Sequence, residues 1–155
     1  MVSKAFRFHH HGGPEVLGIE QSGFHSWGEE EFLRVLRERN CIGMVAESGE
    51  RVVGFMIYEL NKNCLRVFKL ATHPLFRQMG VGQQMVWKLV GKLSSHHRTR
   101  IEMMVRESSL DAQLFLSKQG FKATEVIREE YLDTGEDGYA FAYLLDEMAA
   151  VGASS

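Results

Sequence analysis

No charge of one sign dominates this chain. Its formal net charge is −2 with the histidines neutral, so the basic footprint that nucleic-acid binding requires is missing. No apolar run approaches the roughly 18 residues of a membrane-spanning helix. The start, Met1-Val2-Ser3-Lys4-Ala5-Phe6, has none of the long apolar stretch of a signal peptide. Cysteine is scarce: Cys41 and Cys64 stand alone, neither in a Cys-x-x-Cys pair. That pattern points to two buried thiols in a reduced cytoplasm. There is no internal repeat and no long linker. The expectation is a cytoplasmic protein with no nucleic-acid partner, no membrane and no functional metal. The short run His9-His10-His11 does not change this, because ligands along one strand alternate faces.

What the chain does have is a regular alternation of helical and strand patterns, which points to an α/β fold. A length of 155 residues suits one sizeable core. We read a single domain over residues 1–148 and a small, polar, fraying tail at 149–155. Pro14–Glu20 reads as a short helix. Ser26 and Glu29 form a capping box that opens a helix to about Arg39, with Phe32, Leu33, Val35 and Leu36 on its apolar side. Ile42–Glu47 and Arg51–Leu60 flank Ser48-Gly49-Glu50 as a hairpin, and Asn61-Lys62-Asn63 leads into a third strand, Cys64–Thr72. Val81, Met85, Val86, Leu89, Val90 and Leu93 line one stripe of a helix that ends near Ser94. Ile101–Val105 is a short strand. Ser108 or Ser109 caps the helix Leu110–Gln119, and Gly120 stops it. Val126–Leu132 and Tyr139–Leu145 form a last hairpin around Asp133–Gly138, and Ala5–His10 is read as a first strand.

The run Arg77-Gln78-Met79-Gly80-Val81-Gly82 sits between a strand and a helix. A helix start offers backbone N–H groups without internal partners and the positive end of the helix dipole. Glycines let that backbone approach a phosphate closely. A Walker A loop is excluded, because Gly82 is followed by Gln83-Gln84 and not by Lys-Ser/Thr. A dinucleotide fingerprint is excluded, because Met85 stands where its third glycine belongs. Taken alone, the loop remains open to a second reading, a glycine turn with no ligand.

Its context resembles a known family. Arg77-x-x-Gly80-x-Gly82 after an antiparallel meander and before a long amphipathic helix is similar to motif A of the GCN5-related N-acetyltransferases, the GNAT family. Leu70-Ala71-Thr72-His73-Pro74 resembles the strand end before that loop. Val105-Arg106-Glu107-Ser108-Ser109, with Phe115 and Gly120-Phe121, resembles the second half of the cofactor site. Ser26-Trp27 and Val53-Gly54-Phe55 resemble the branch that acetylates protein N-termini, ribosomal proteins among them. The resemblance runs from about residue 14 to 145.

That resemblance implies a mixed, mostly antiparallel sheet with helices on both faces and a splayed parallel strand pair, Cys64–Thr72 and Ile101–Val105. It implies acetyl-CoA as co-substrate and direct transfer to an amine. Leu70, Ala71 and Thr72 would face the pantetheine and the acetyl carbonyl. Gln78, Met79, Gly80, Val81, Gly82 and Gln83 would wrap the pyrophosphate, and Ser109 stands where the family has an asparagine that contacts the cofactor. The branch also carries a glutamate base and a tyrosine acid, and at those positions this chain has Met104 and Leu116. Two residues offer substitutes. Glu102 shares a strand face with Met104, and Tyr131 stands where the branch has a tyrosine near the substrate groove. For each, a purely structural role remains open. Three functions follow: acetylation of a protein N-terminal amine, acetylation of a small-molecule amine or lysine, or binding of acetyl-CoA without catalysis.

Overall fold

The computed structural model describes residues 6–7, 34, 37–38, 40–49, 51–77 and 79–145. The helix read at Pro14–Glu20, the capping box at Ser26 and Glu29, Gln78 and the tail lie outside them. So does most of the helix read to Arg39, of which Arg34 and Arg37 are described and helical.

The described elements are β1 (Phe6–Arg7), β2 (Cys41–Ser48), β3 (Arg51–Leu60), β4 (Cys64–Thr72), α1 (Val81–Val90), β5 (Arg100–Arg106), α2 (Leu110–Lys118), β6 (Lys122–Tyr131) and β7 (Glu136–Leu144). They fall into two compact units. One holds the described residues up to Leu60 with Val67–Lys88, and the other holds Asn61–Arg66 with the described residues from Leu89 onward.

The strands of the first unit run in the order β1-β2-β3-β4. Phe6 and Arg7 pair antiparallel with Ala46 and Val45, which shows two residues of the first strand read at Ala5–His10. β2 and β3 form the expected hairpin, antiparallel from Cys41↔Glu59 to Ser48↔Arg51, with a bulge after Ala46. Met44, Val45 and Ala46 are buried, as are Val53 and the run Phe55–Tyr58. Neighbours on a strand point to opposite faces, so β3 is covered on both. Each large side chain here contributes roughly 1.5–3 kcal/mol by leaving water. Gly54 stands between Val53 and this run for a reason. A Cβ there would stand 2.9 Å from Val81 Cγ1 and Met85 Cε, and 3.1 Å from the Ala71 carbonyl. α1 therefore lies directly on β3, and its first turn is fixed relative to the end of β4.

In the second unit the order is the first residues of β4, then β5, β7 and β6. β7 is antiparallel to both of its neighbours. β4 and β5, joined through α1, are the parallel pair of a mixed sheet. Ile101, Val105, Leu116, Phe121 and Phe141 are buried in this unit. α2 ends as the sequence requires: the Phe121 N–H donates to the Leu116 carbonyl at 3.0 Å and the Gly120 N–H to Ser117 at 3.1 Å. Gly120 has φ +94°, the left-handed turn that glycine supplies. Two boundaries differ from the sequence reading. α1 stops at Val90, where Lys92 and Leu93 close tighter turns instead of continuing the helix to Leu93. The last hairpin turns earlier and more tightly than Asp133–Gly138, because β7 already starts at Glu136.

Candidate functional site

The glycine loop belongs to the first unit. β4 delivers Leu70, Ala71 and Thr72, all half-buried. The His73 N–H donates to the Val53 carbonyl at 2.8 Å, the last tie to β3. Pro74, which has no N–H to give a ladder, ends the strand. A short 3₁₀ turn, Pro74–Phe76, follows, with His73 Nδ1 accepting from the Leu75 N–H at 3.1 Å. The Phe76 ring meets the His73 ring edge-on, centroids 5.7 Å apart, and the Arg51 guanidinium 5.5 Å away. Gly80 then takes φ +84°. The first bond of α1 runs from the Gln84 N–H to the Gly80 carbonyl at 3.0 Å. The N–H groups of Val81, Gly82 and Gln83 accordingly lie at the open end of the helix. No acidic residue stands in its first turn, and Arg77 and Met79 are exposed beside it. This donor set fits a phosphate ester. Gln78 lies outside the described residues.

The other candidate residues belong to the second unit. Glu102, on β5, is held from three sides. Arg100 Nε donates to its Oε1 at 2.7 Å, Arg66 Nη2 is 3.6 Å from Oε2, and the buried Cys64 thiol donates to Oε2 at 3.7 Å. Partial burial raises the carboxyl, but the hydrogen bond and charge of Arg100, with Arg66 and Cys64, outweigh it and hold Glu102 below the usual carboxylate range. It is a carboxylate at neutral pH, and a weak base.

Tyr131 closes β6, opposite Glu136. Its ring lies under the Arg106 guanidinium, with Cζ 4.1 Å from the centroid. Burial raises its phenol, the Arg106 charge opposes that, and Glu130, Glu136 and Asp133 add to the rise. The result is a phenol that keeps its proton. Glu102 and Arg106 are four residues apart on β5, about 13 Å along an extended strand, so Glu102 and the group that holds Tyr131 stand at different ends of one strand face.

Ser109 is buried at the N-cap of α2, with no cap hydrogen bond from its side chain. Leu116, at the position of the family's tyrosine, is 1% exposed and lies in the apolar core. Met104 is half-buried, and its Sδ would be 2.8 Å from a Cβ at Gly138. The sequence reading missed Arg106 as more than part of a motif. The signal was present: Glu102, Met104 and Arg106 alternate onto one face, and Asp133 and Glu136 flank the following turn.

The sequence profile of the Acetyltransferase (GNAT) family matches residues 14–121. The chain belongs to the GNAT family. It is an acetyltransferase, and the co-substrate of the family is acetyl-CoA. Solved GNAT structures share the fold. The ribosomal-protein-S18-alanine N-acetyltransferase from Escherichia coli is 19% identical and superposes with a TM-score of 0.80, over 92% of this chain and 94% of that one. Ard1 from Thermoplasma volcanium is 23% identical, with a TM-score of 0.78 over 92% and 98%. NAA60 from Arabidopsis thaliana, solved with acetyl-CoA, is 15% identical, with a TM-score of 0.77 over 91% and 99%. No curated protein sequence gives a significant match. Among the described residues, no helix of this GNAT chain is long and apolar enough to cross a membrane.

Proposed function

We propose that this GNAT chain works in the cytoplasm as one domain over residues 1–148, acetylating the α-amine of a protein N-terminus, a ribosomal protein among the candidates. Acetyl-CoA supplies the acetyl group as an activated thioester. Gln78, Met79, Gly80, Val81, Gly82 and Gln83 bind its pyrophosphate through the N–H groups at the start of α1. Leu70, Ala71 and Thr72 offer β4 backbone groups to the pantetheine and the acetyl carbonyl, and Ser109 adds a hydroxyl. Tyr131, whose phenol keeps its proton, donates to the leaving thiolate or orients the acceptor. Glu102, toward the other end of the β5 face from Tyr131, accepts the amine proton through water, as a weak base.

The observation that carries the choice of acceptor is the state of Glu102, held by Arg100 and Arg66. An α-amine with a pKa near 8 is about a tenth neutral at pH 7, whereas a lysine near 10.4 is neutral to only about 0.04%. A strong positioned base contributes about 10²–10⁴-fold. An enzyme with a weak one favours the amine that deprotonates unaided. The name of the S18-alanine N-acetyltransferase, a protein of the same fold, is consistent with such an acceptor. A second reading, an acetyl-CoA-binding module without turnover, draws on Met104 and on the buried Leu116. A panel of N-terminal peptides, lysine peptides and small amines separates the readings. Turnover confined to free N-termini supports the proposal, preference for lysine or small amines supports the rival enzymes, and no turnover with intact acetyl-CoA binding supports the module.

A further inference from the structure

Arg106 is held by several partners in the second unit. Its side chain is 11% exposed at the end of β5. Nη1 and Nη2 form a fork on the two Asp133 oxygens at 3.0 and 2.9 Å. Nη1 also donates to Glu136 Oε2 and Thr134 Oγ1, each at 3.1 Å. Thr134 Oγ1 in turn donates to Glu136 Oε2 at 2.8 Å. All three acceptors belong to the turn joining β6 and β7 or to its first strand residue. Tyr131, the last residue of β6, lies 4.1 Å beneath the guanidinium. One planar cation therefore fixes the turn with its edge and the ring with its face, which an ammonium does not do.

A second strap holds the β6 backbone just before that ring. The β6–β7 register shifts between Ile127 and Tyr131. Glu129 within that bulge has φ +52° and donates its N–H to Asp137 Oδ1 at 2.9 Å. Arg128 Nη1 reaches the same carboxylate at 3.6 Å. Bulges of this kind re-aim a side chain, and a non-glycine residue with positive φ persists only where its surroundings hold it. Here the bulge delivers Tyr131 to the face of Arg106.

We infer that Arg106 is a positioning residue for acetyl transfer: by clamping the β6–β7 turn and covering one face of the Tyr131 ring, it holds the phenol in the orientation the reaction uses. The inference rests on the proposed role of Tyr131, and the two are separable. A double-mutant cycle with acetyl-CoA and an N-terminal peptide measures kcat and KM for the wild type, Arg106→Lys, Tyr131→Phe and the double variant. Arg106→Lys is expected to lower kcat about tenfold while leaving the acetyl-CoA KM within about twofold, and to add less than about twofold in the Tyr131→Phe background. Asp133→Asn loosens the fork from its exposed side and keeps the guanidinium. It carries the same test with the fold kept, expected at about threefold in kcat and again silent without Tyr131. An equal loss in both backgrounds, or no loss at all, overturns the positioning role while leaving Tyr131 in place. Full kcat in Tyr131→Phe overturns the Tyr131 reading, and the inference with it.

Discussion

Glu102 shows how a side chain's neighbours set its chemistry. Its place beside Met104 on one strand face is legible from spacing alone, and so is Arg100, two residues earlier on that face. Arg66 and Cys64 are not legible, because their approach depends on how β4 lies beside β5. If Glu102 acts as a weak base, Glu102→Gln lowers kcat/KM about tenfold at pH 7, below the usual range for a strong base, and the loss shrinks at high pH as the amine deprotonates unaided. Rates from pH 6.5 to 9.5 check this. A loss independent of pH assigns Glu102 to the ion pair with Arg100 alone. Glu136 carries the clearest pH signature of stability. Hydrogen bonds from Ser108 and Thr134, then Arg106, push its carboxyl down to about 2 from an ordinary 4.5. A depressed carboxyl contributes stability above its unfolded value and loses it as pH falls through the folded one. Thermal melts should therefore fall as pH drops from about 4.5 toward 2, and Glu136→Gln should flatten that part of the curve.

Elements with strong local signals were read closely from the sequence. β4 has the predicted bounds, and α2 ends at the predicted glycine, because a proline and a left-handed glycine act within a few residues. β6 starts four residues before the Val126 that the sequence pattern marks. Lys122, Ala123, Thr124 and Glu125 are exposed and polar or small, so no alternation marks them as strand, and pairing with β7 decides the matter. The final turn lies earlier than the sequence pattern places it, because Glu136, Asp137 and Gly138 look like loop residues in sequence but belong to β7. Asp133 and Thr134 form the turn and Glu136 opens β7, all three tied to Arg106, a contact between distant positions. α1 fits closely on β3. Gly54→Ala would set a methyl 2.9 Å from Val81 and Met85, and 3.1 Å from the Ala71 carbonyl, which is backbone and does not yield as a side chain does. Overpacking of this kind costs about 1–3 kcal/mol. Urea unfolding should show that loss. An unchanged midpoint would mean that α1 does not approach β3 as described.

At the scale of the whole molecule, the family was legible because the glycine loop needs a specific backbone, and Gly80 at φ +84° before α1 has it. The acceptor was not legible, since acceptor grooves are built from loops that differ freely on one fold. Acetyl-CoA at 100 times its Kd should stabilise the chain by about 2.7 kcal/mol through mass action. Gly82→Asp, which brings a side chain and a like charge to the helix start, should abolish that shift in a thermal melt. A full shift in the variant would remove the loop from the account. The most direct test of the central claim is competition within one peptide that carries a free α-amine and one internal lysine. With enzyme and acetyl-CoA at pH 7, fragment masses locate the acetyl group. The account predicts acetyl on the α-amine, with the lysine lagging at least about tenfold, the direction set by their neutral fractions. Acetyl appearing on the lysine as fast or faster would contradict it.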